Sequence, residues 1–375
     1  MRKVAVIFGG KSCENEISVL TGVFVLNLLD REKYSPVPIY VHTDGGLYTS
    51  PKMTDLTVFR EKKYSVFQRI FIDGGSVYAL NASKNRIKRL GKIDVALNCC
   101  HGGLGEGGGV SAMMEWNGIP LASPDLTSSS AFMDKGLTKI LMRALNVPTV
   151  EYIRIREKDY ERRSAFLLRT VESRLKYPVV VKPAHLGSSI GISLAKNEDE
   201  LKTALATAFS LDACAIVERY LKDKQDVNCA AYSLNGEIYV SEPETAFGAG
   251  IYSFEEKYVK RNADGAAPPL CEKGGDRVAL NGELREKIRA YTMTVYKRMN
   301  MQGVVRLDFL VSEGKAYLCE VNTVPGSLAY YLFCERISDA KAFFSDLIED
   351  AVRRGAEEKT LLQTGILRTV RWQRK

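Results

Sequence analysis

Two apolar segments that end in glycines constrain the fold of the first third of the chain. Residues 3–10 (KVAVIFGG) predict a short buried strand, and residues 94–103 (DVALNCCHGG) predict another. Between them, residues 17–29 have the length and apolar spacing of a helix, and residues 36–41 predict a further strand. This alternation favours a doubly wound parallel sheet, and therefore an N-terminal Rossmann-like α/β domain over residues 1–122.

The rest of the chain predicts two smaller units of mixed α and β structure. Residues 131–145 and 198–209 have helical patterns, residues 177–182 predict a strand that stops at a proline, and residues 214–221 predict the next strand. The expected divisions are a central subdomain (123–213), a C-terminal subdomain (214–355) and a tail (356–375). A long segment without clear periodicity, residues 244–275, predicts a functional loop.

The composition narrows the class of protein. The 375 residues, 45% of them hydrophobic, suffice for two or three domains with buried cores. No apolar run approaches the ~18–20 residues of a membrane span, and the first residues predict a strand rather than a signal peptide. Eight cysteines without a CxxC pair predict reduced thiols in a cytosolic protein.

The net charge of +8 allows two kinds of anionic partner. Basic clusters at residues 84–92 and 368–375 predict a solvated face and tail, with a nucleic-acid surface as the alternative. There is no zinc-finger spacing, basic zipper or aromatic RNA-binding signature, and a small polyanion such as ATP fits the charge equally well.

Residues 304–322 predict a hairpin with a polar face. The linker 312–314 (SEG) predicts a three-residue loop with Gly314 at its left-handed position, so that Val311 pairs with Lys315. Alternation along the strands then places three oxygen-bearing side chains and one guanidinium on one face, namely those of Asp308, Glu320, Asn322 and Arg306. Such oxygen ligands suit Mg²⁺ and phosphate; the alternative is a surface face held by a salt bridge. Pro325-Gly326 then turns backbone amides toward a substrate.

A second set of residues has the character of a phosphate clamp. The Gly/Ser loop 187–191 (GSSIG) offers backbone N–H groups to phosphate oxygens, although such loops are common. Lys182 ends the preceding strand, and Lys135 lies in an earlier helix. The pattern is neither a Walker A loop nor a GxGxxG after the first strand, which excludes a P-loop ATPase and an ordinary NAD enzyme.

Together these residues resemble the D-alanine–D-alanine ligase family of the ATP-grasp superfamily over residues 1–355. The motifs that carry the resemblance are VIFGGKSCENEIS (6–18), HGGLGEGGG (101–109), MDK (133–135), VVVKPAHLGSSIG (179–191), IVERYL (216–221), FEEKY (254–258), VVRLDF (304–309) and EVNTVPG (320–326). The resemblance implies a three-domain ATP-grasp fold, in which ATP lies between the central and C-terminal domains and residues 244–275 form the ω loop that closes over the site.

The implied reaction has two steps. ATP phosphorylates the carboxylate of one D-alanine, and the amine of a second D-alanine displaces phosphate from the acyl phosphate. The resemblance implies two Mg²⁺ ions, with Mn²⁺ able to substitute. It further implies a cytoplasmic homodimer that serves peptidoglycan precursor synthesis, with small-molecule substrates and no nucleic-acid or membrane partner.

The resemblance also implies roles for particular residues. The metal ligands are Asp308, Glu320 and Asn322. ATP is held by Lys135, Lys182, Ser189, Glu218, Asp226 and Lys257, with Gln225 as the competitor of Asp226. Arg306 and the backbone at Gly326 stabilise the oxyanion. The first D-alanine is bound by Glu14, which leans on Ser188 and Tyr258, and His101 lines the amino-acid pocket. From the residues alone, Glu14 is also explained by its helix N-terminus and His101 by a structural hydrogen bond.

Several positions depart from the family pattern. Gly107, Ser111 and Ala112 replace its usual residues, and Tyr330 and Tyr331 stand where the family often has polar residues near the second substrate. We expect one of the two tyrosine rings to line that pocket and the other to pack into the core. D-serine or another small D-amino acid is therefore the alternative second substrate, and an inactive relative that only binds is the alternative class. Tyr258 favours an amine over D-lactate.

Overall fold

Three sheets organise the protein, and the computed structural model describes residues 1–81, 85–245, 280–356 and 364–366. The strands of the first sheet are β1 (Arg2–Gly9), β2 (Tyr34–Val41), β3 (Leu47–Thr49), β4 (Gln68–Asp73), β5 (Ser76–Asn81), β6 (Arg86–Lys92) and β7 (Val95–Asn98). Their order is β6-β5-β4-β3-β2-β1-β7. Only β2, β1 and β7 pair in parallel; β2 through β6 form an antiparallel extension that the sequence analysis did not predict.

Helices cover the parallel part of this sheet. They are α1 (Asn15–Leu28), α2 (Leu56–Arg60) and α3 (Val110–Trp116). Helix α1 buries Val19, Val23 and Leu26 in the same core as Phe8 of β1. The helix packs closely because Gly22 has no side chain: a β-carbon there would overlap the Phe8 ring.

The second sheet is antiparallel and has four strands. They are β8 (Tyr152–Arg156), β9 (Val179–Pro183), β10 (Ser193–Ala195) and β11 (Cys214–Arg219). Their order is β10-β9-β11-β8, and the helices α6 (Glu157–Leu175) and α7 (Glu198–Phe209) bury their apolar sides against the sheet. The expected division after residue 213 therefore cuts this sheet, because β11 pairs with β8 and β9.

The third sheet carries the hairpin. Its strands are β12 (Gln225–Leu234), β13 (Glu237–Val240), β14 (Glu244–Thr245), β15 (Val304–Ser312) and β16 (Lys315–Asn322), in the order β13-β12-β15-β16 with β14 beside β12. Its helices are α8 (Gly282–Arg298) and α9 (Ala340–Gly355). Phe343, Phe344 and Leu347 of α9 share one core with residues of β1, β7 and β12, so this helix joins the first and third sheets.

The helix predicted over residues 131–145 is two helices. They are α4 (Leu126–Met133) and α5 (Lys135–Ala144). Asp134 between them has an extended backbone (φ −91°, ψ 109°), and its carboxylate accepts hydrogen bonds from the N–H groups of Gly136 and Leu137. An aspartate that caps a new helix ends the earlier one, a signal that apolar periodicity hides. Among the described residues, no helix is long and apolar enough to cross a membrane.

Candidate active site

The hairpin of β15 and β16 differs from its prediction in loop length and in register. Ser312 pairs with Lys315, so the loop has two residues, Glu313 (φ 49°) and Gly314 (φ 71°), both left-handed as a type I′ turn requires. The register then shifts between Asp308 and Phe309, where Cys319 is an extra residue in β16. The shorter loop and the bulge compensate each other.

The predicted polar face therefore forms despite the wrong loop. Asp308 lies opposite Glu320, and Arg306 lies opposite Asn322. The Arg306 guanidinium donates to both oxygens of Asp308 (Nε–Oδ1 2.7 Å, Nη2–Oδ2 2.8 Å), and the Asn322 amide donates to Asp308 Oδ2 at 3.0 Å. Burial opposes the charge on Arg306, but Asp308 and Tyr331 raise its pKa above the ordinary value. Arg306, Asp308 and Asn322 thus form one hydrogen-bonded cluster rather than a free solvated face, and Glu320 lies opposite Asp308 beside it.

The oxygen atoms of this cluster are compatible with Mg²⁺ in number and type. Within the described ranges, no group of three or more His, Cys, Asp or Glu side chains is arranged to hold a metal ion. Asp308 and Glu320, with the Asn322 amide, are a smaller set, which suits an ion that takes few protein ligands and completes its shell with water and phosphate.

Two lysines, one from α5 and one from β9, reach the hairpin. Lys135, the first residue of α5, lies 3.5 Å through Nζ from Glu320 Oε2 and donates to the Leu186 carbonyl at 2.5 Å. Lys182, in β9, points its Nζ at Cys319 Sγ at 3.5 Å. Both side chains are almost fully buried. The residues predicted as a phosphate clamp and those predicted as metal ligands therefore meet at one place.

Glu218 in β11 is the partner of Lys182 and of a lysine that sequence reasoning missed. Its Oε2 lies 2.6 Å from Lys182 Nζ, and its Oε1 lies 2.6 Å from Lys139 Nζ. Burial raises the pKa of Glu218, but the two ammonium groups outweigh it and hold that pKa at about 2. Lys139 follows Lys135 by one helical turn, and this spacing is the signal that would have found it.

Glu14 joins the first sheet to the Gly/Ser loop. It occupies the N-cap position of α1, yet its side chain makes no capping bond; it accepts a short hydrogen bond from the Ser188 hydroxyl, 174 positions away in the chain. Gly102 and Gly187 lie against the carboxylate so closely that a β-carbon on either would crowd it. The helix N-terminus alone therefore does not account for this residue.

His101 is a buried link to the segment after the hairpin. Its Nδ1 lies 2.8 Å from the Val324 carbonyl, which only accepts, so Nδ1 carries the proton. Its Nε2 then accepts from the Thr21 hydroxyl at 2.8 Å, and Thr21 Oγ1 accepts from the Ser327 N–H. Burial lowers the pKa of His101 to about 4, so the ring is neutral at pH 7. This geometry matches the alternative that His101 makes a structural hydrogen bond, because the ring positions residues 324–327.

Glu106 was not among the predicted site residues, although its motif was. Its carboxylate accepts from the N–H groups of Gly102 (2.8 Å) and Val324 (3.2 Å). Burial, together with the charge of Glu14, raises the pKa of Glu106 to about 7. Its position directly before the departure at Gly107, in a glycine run, gave no sign of this, because the contact with Val324 joins residues 218 positions apart in the chain.

The segment after Gly326 is a tight turn rather than an extended strand. Gly326–Leu332 forms a short helical stretch in which Ser327, Leu328 and Ala329 have left-handed backbone angles. Tyr330 is only 3% exposed and packs on the Phe24 ring with a centroid distance of 5.1 Å. The Tyr331 hydroxyl accepts from Arg306 Nη1 at 3.1 Å. One ring therefore lies in the core and the other at the polar cluster.

The remaining predicted residues are in the Gly/Ser loop, in β12, at Gly326 or outside the described ranges. Ser189 is in the Gly/Ser loop with a left-handed backbone (φ 60°), and Asp226 in β12 is paired with Lys224 (Nζ–Oδ2 2.6 Å). Around Gly326, a β-carbon would meet no described atom within 4 Å. Lys257 and Tyr258, with all of the predicted ω loop except residues 244–245, lie outside the described residues.

Two family models and named relatives match this chain along most of its length. Residues 3–124 match the family model described as D-ala D-ala ligase N-terminus, and residues 141–353 match the one described as D-ala D-ala ligase C-terminus. A D-alanine–D-alanine ligase of Thermosipho africanus is 32% identical over 340 residues, which cover 89% of this chain and 88% of that protein.

Solved structures share the fold. A D-alanine–D-alanine ligase from Coxiella burnetii superposes with a TM-score of 0.77 at 22% identity, covering 98% of this chain and 99% of that one. A Bacillus anthracis D-alanine–D-alanine ligase complexed with ATP gives 0.64 at 24% identity, covering 96% and 100%. The shared fold and the two family models define an ATP-grasp ligase. By its sequence matches along nearly the whole length, the chain belongs to the D-alanine–D-alanine ligase family.

Proposed function

We propose that this protein joins two molecules of D-alanine into D-alanyl-D-alanine, with ATP converted to ADP and phosphate. The observation that carries the proposal is the ion pair between Lys135 and Glu320. It brings a lysine proposed for phosphate binding, in α5, to a carboxylate proposed for metal binding, in β16 of the third sheet. Membership of the family supports the substrate class.

The first step forms an acyl phosphate. A carboxylate oxygen of the first D-alanine attacks the γ-phosphorus of ATP, and the bond from that phosphorus to the bridging oxygen breaks, which releases ADP. Phosphoryl transfer depends mainly on positioning and charge neutralisation, and Lys135 and Lys182 supply positive charge beside the hairpin. Glu14 is proposed to bind the ammonium group of this D-alanine, and Ser188 holds its carboxylate in place.

The second step forms the peptide bond. The amine nitrogen of the second D-alanine attacks the acyl carbon, phosphate leaves with the electrons of the carbon–oxygen bond, and the amine loses a proton. Arg306 and the backbone N–H groups near Gly326 are proposed to stabilise the oxyanion of the tetrahedral intermediate. His101 and Glu106 hold the segment that carries those N–H groups.

The proposed cofactor is Mg²⁺, held by Asp308, Glu320 and Asn322 as two ions, with Mn²⁺ able to substitute. When bound, it would neutralise the negative charge of the phosphates during transfer. The Arg306 guanidinium donates to both Asp308 oxygens and so fixes the orientation of this carboxylate.

The remaining proposals concern nucleotide contacts and setting. Glu218 is proposed to accept from the adenine amino group, Asp226 to bind ribose, and Ser189 and Lys257 to contact phosphate. We further propose that the protein acts in the cytoplasm as a homodimer for peptidoglycan precursor synthesis. None of the seven described cysteines is in a disulfide, which supports a reducing compartment.

The test is a substrate panel. Purified protein with ATP and Mg²⁺ is incubated with D-alanine alone and with D-alanine plus D-serine, D-lactate or L-alanine, while phosphate release and product mass are read. We expect the mass of D-alanyl-D-alanine as the main product, with phosphate released in equal amount. A mixed dipeptide as the main product would assign a different second substrate, and phosphate release without any dipeptide would refute the ligase.

A further inference from the structure

His185 lies where three separate elements meet beside the nucleotide site. It follows β9 by two residues and directly precedes the segment that leads into the Gly/Ser loop 187–191. Its Nδ1 lies 2.9 Å from Asp212 Oδ2, and its Nε2 lies 3.5 Å from Asp134 Oδ2. Asp212 comes from the turn before β11, and Asp134 is the cap of α5. One imidazole therefore connects the start of the loop, a helix N-terminus and a sheet turn.

Backbone hydrogen bonds make this junction rigid. The His185 N–H donates to Asp212 Oδ2 at 2.7 Å, and the Lys135 N–H donates to the Ala184 carbonyl at 3.0 Å. The ammonium group of Lys135 also donates to the carbonyl of Leu186, the residue after His185. Residues on both sides of His185 thus bind Lys135, the lysine that contacts Glu320.

The charges around the ring favour its cationic form. Hydrogen bonds with Asp134 and then Asp212 raise the pKa of His185 to about 9, against the opposing effect of burial. Burial raises the pKa of Asp134, but His185, the Leu137 N–H and Arg154 lower it to about 2. Arg154 of β8 also lies beside Cys214 of β11, at 3.2 Å from its sulfur.

We propose that His185 is a positioning residue of the nucleotide site: as an imidazolium between Asp134 and Asp212, it fixes Lys135 and the beginning of the Gly/Ser loop relative to each other. The proposal rests on the proposed function, because the loop and Lys135 are assigned to ATP there. It adds a residue that touches neither substrate nor metal, and it makes ATP binding depend on one proton outside the reacting atoms.

The test compares His185→Gln with His42→Gln. Both remove a histidine that faces an aspartate, but His42 pairs with Asp44 in the antiparallel extension of the first sheet, far from the loop in the chain. Because the His185 ring is about half exposed, we expect its replacement to weaken ATP binding roughly three- to tenfold, as a rise in KM for ATP with kcat changed less. His42→Gln should leave both values as in the parent. Equal KM values for ATP in His185→Gln and the parent would overturn the proposal.

The pH dependence of ATP affinity separates this role from a merely structural one, because replacing a structural residue would not change it. The affinity for ATP, titrated without D-alanine, should fall in the parent as pH rises through about 9, and this fall should be smaller in His185→Gln. Of the three histidine signals in the NMR spectrum, the one that His185→Gln removes should titrate near 9. Titration of that signal near 6.5, or identical pH profiles for parent and variant, would refute the proposal. If the protein binds ATP but makes no dipeptide, the proposed function fails while this test still decides the role of His185.

Discussion

Replacing Tyr331 by phenylalanine should weaken the binding of the second D-alanine without disturbing formation of the acyl phosphate. The hydroxyl of Tyr331 accepts from Arg306 Nη1, while the other two contacts of that guanidinium go to Asp308. Removing the hydroxyl therefore leaves Arg306 anchored by two of its three hydrogen bonds. What is lost is a hydrogen bond in the pocket, because we propose that the hydroxyl donates to the carboxylate of the second substrate.

The magnitude follows from one hydrogen bond to a charged group. Such a bond contributes about 1.5–3 kcal/mol when buried. Tyr331 is partly exposed, so the lower end applies, and at 1.4 kcal/mol per tenfold this is about a tenfold rise in KM for the second D-alanine. The value of kcat at saturation should change less, because Arg306 and the hairpin keep their geometry.

The matched control is Tyr330→Phe. Its ring lies in the core on Phe24, so the change should leave KM for the second D-alanine as in the parent and lower the free energy of unfolding by about 1 kcal/mol. The assay is phosphate release at fixed ATP with varied D-alanine, fitted to separate constants for the two sites, and chemical denaturation of both variants. The reasoning is refuted if neither variant changes the second KM, or if Tyr330→Phe changes it more.

Three further outcomes are expected. Glu320→Gln should abolish dipeptide formation with the thermal midpoint unchanged within a few degrees; a magnesium-dependent rate equal to that of the parent would contradict the metal site. Lys139→Met leaves Glu218 with Lys182 as its only described partner and should cost about 3 kcal/mol of stability in denaturant titration, the lower end for breaking a buried pair. The folded pKa of Glu218, about 2, lies below its ordinary 4.5, so its contribution is complete above about pH 4.5 and is lost as pH falls toward 2; a parent whose advantage over Lys139→Met is the same at pH 3 and pH 7 would contradict this. If Tyr258 sets the amine preference, D-alanine should outcompete D-lactate at neutral pH, and efficient ester formation would count against it.

The period of the hydrophobic pattern predicted the core elements of the N-terminal sheet and the face of the hairpin. Side chains alternate along a strand with a period of two. Asp308, Glu320 and Asn322 therefore share a face whenever the pairing of the two strands differs from the predicted pairing by an even number of residues. The predicted loop was one residue too long, and the bulge at Cys319 restored the parity that the shorter loop would have reversed. The prediction of the face is therefore confirmed, although its derivation was wrong in the turn.

The local apolar pattern also misplaced a helix boundary and a subdomain boundary. The apolar spacing over residues 131–145 continues through Asp134, yet the capping bonds of its carboxylate begin a new helix there. The strand β11 begins where a new subdomain was expected, but its pairing with β8 and β9 keeps it in the second sheet. Which strands pair depends on the path of the whole chain, and a short stretch of sequence does not contain that information.

The sequence by itself determined the class of protein, because motif residues kept their order and spacing along 355 positions. Only the tertiary structure decided which of them touch. Glu14 meets Ser188, Lys139 shares Glu218 with Lys182, and Tyr331 rather than Tyr330 reaches Arg306. These contacts join separate helices, strands and loops, and they depend on how those elements pack together. Periodicity reports which face of an element is buried, but the partner of a buried charge is set by the packing of whole elements.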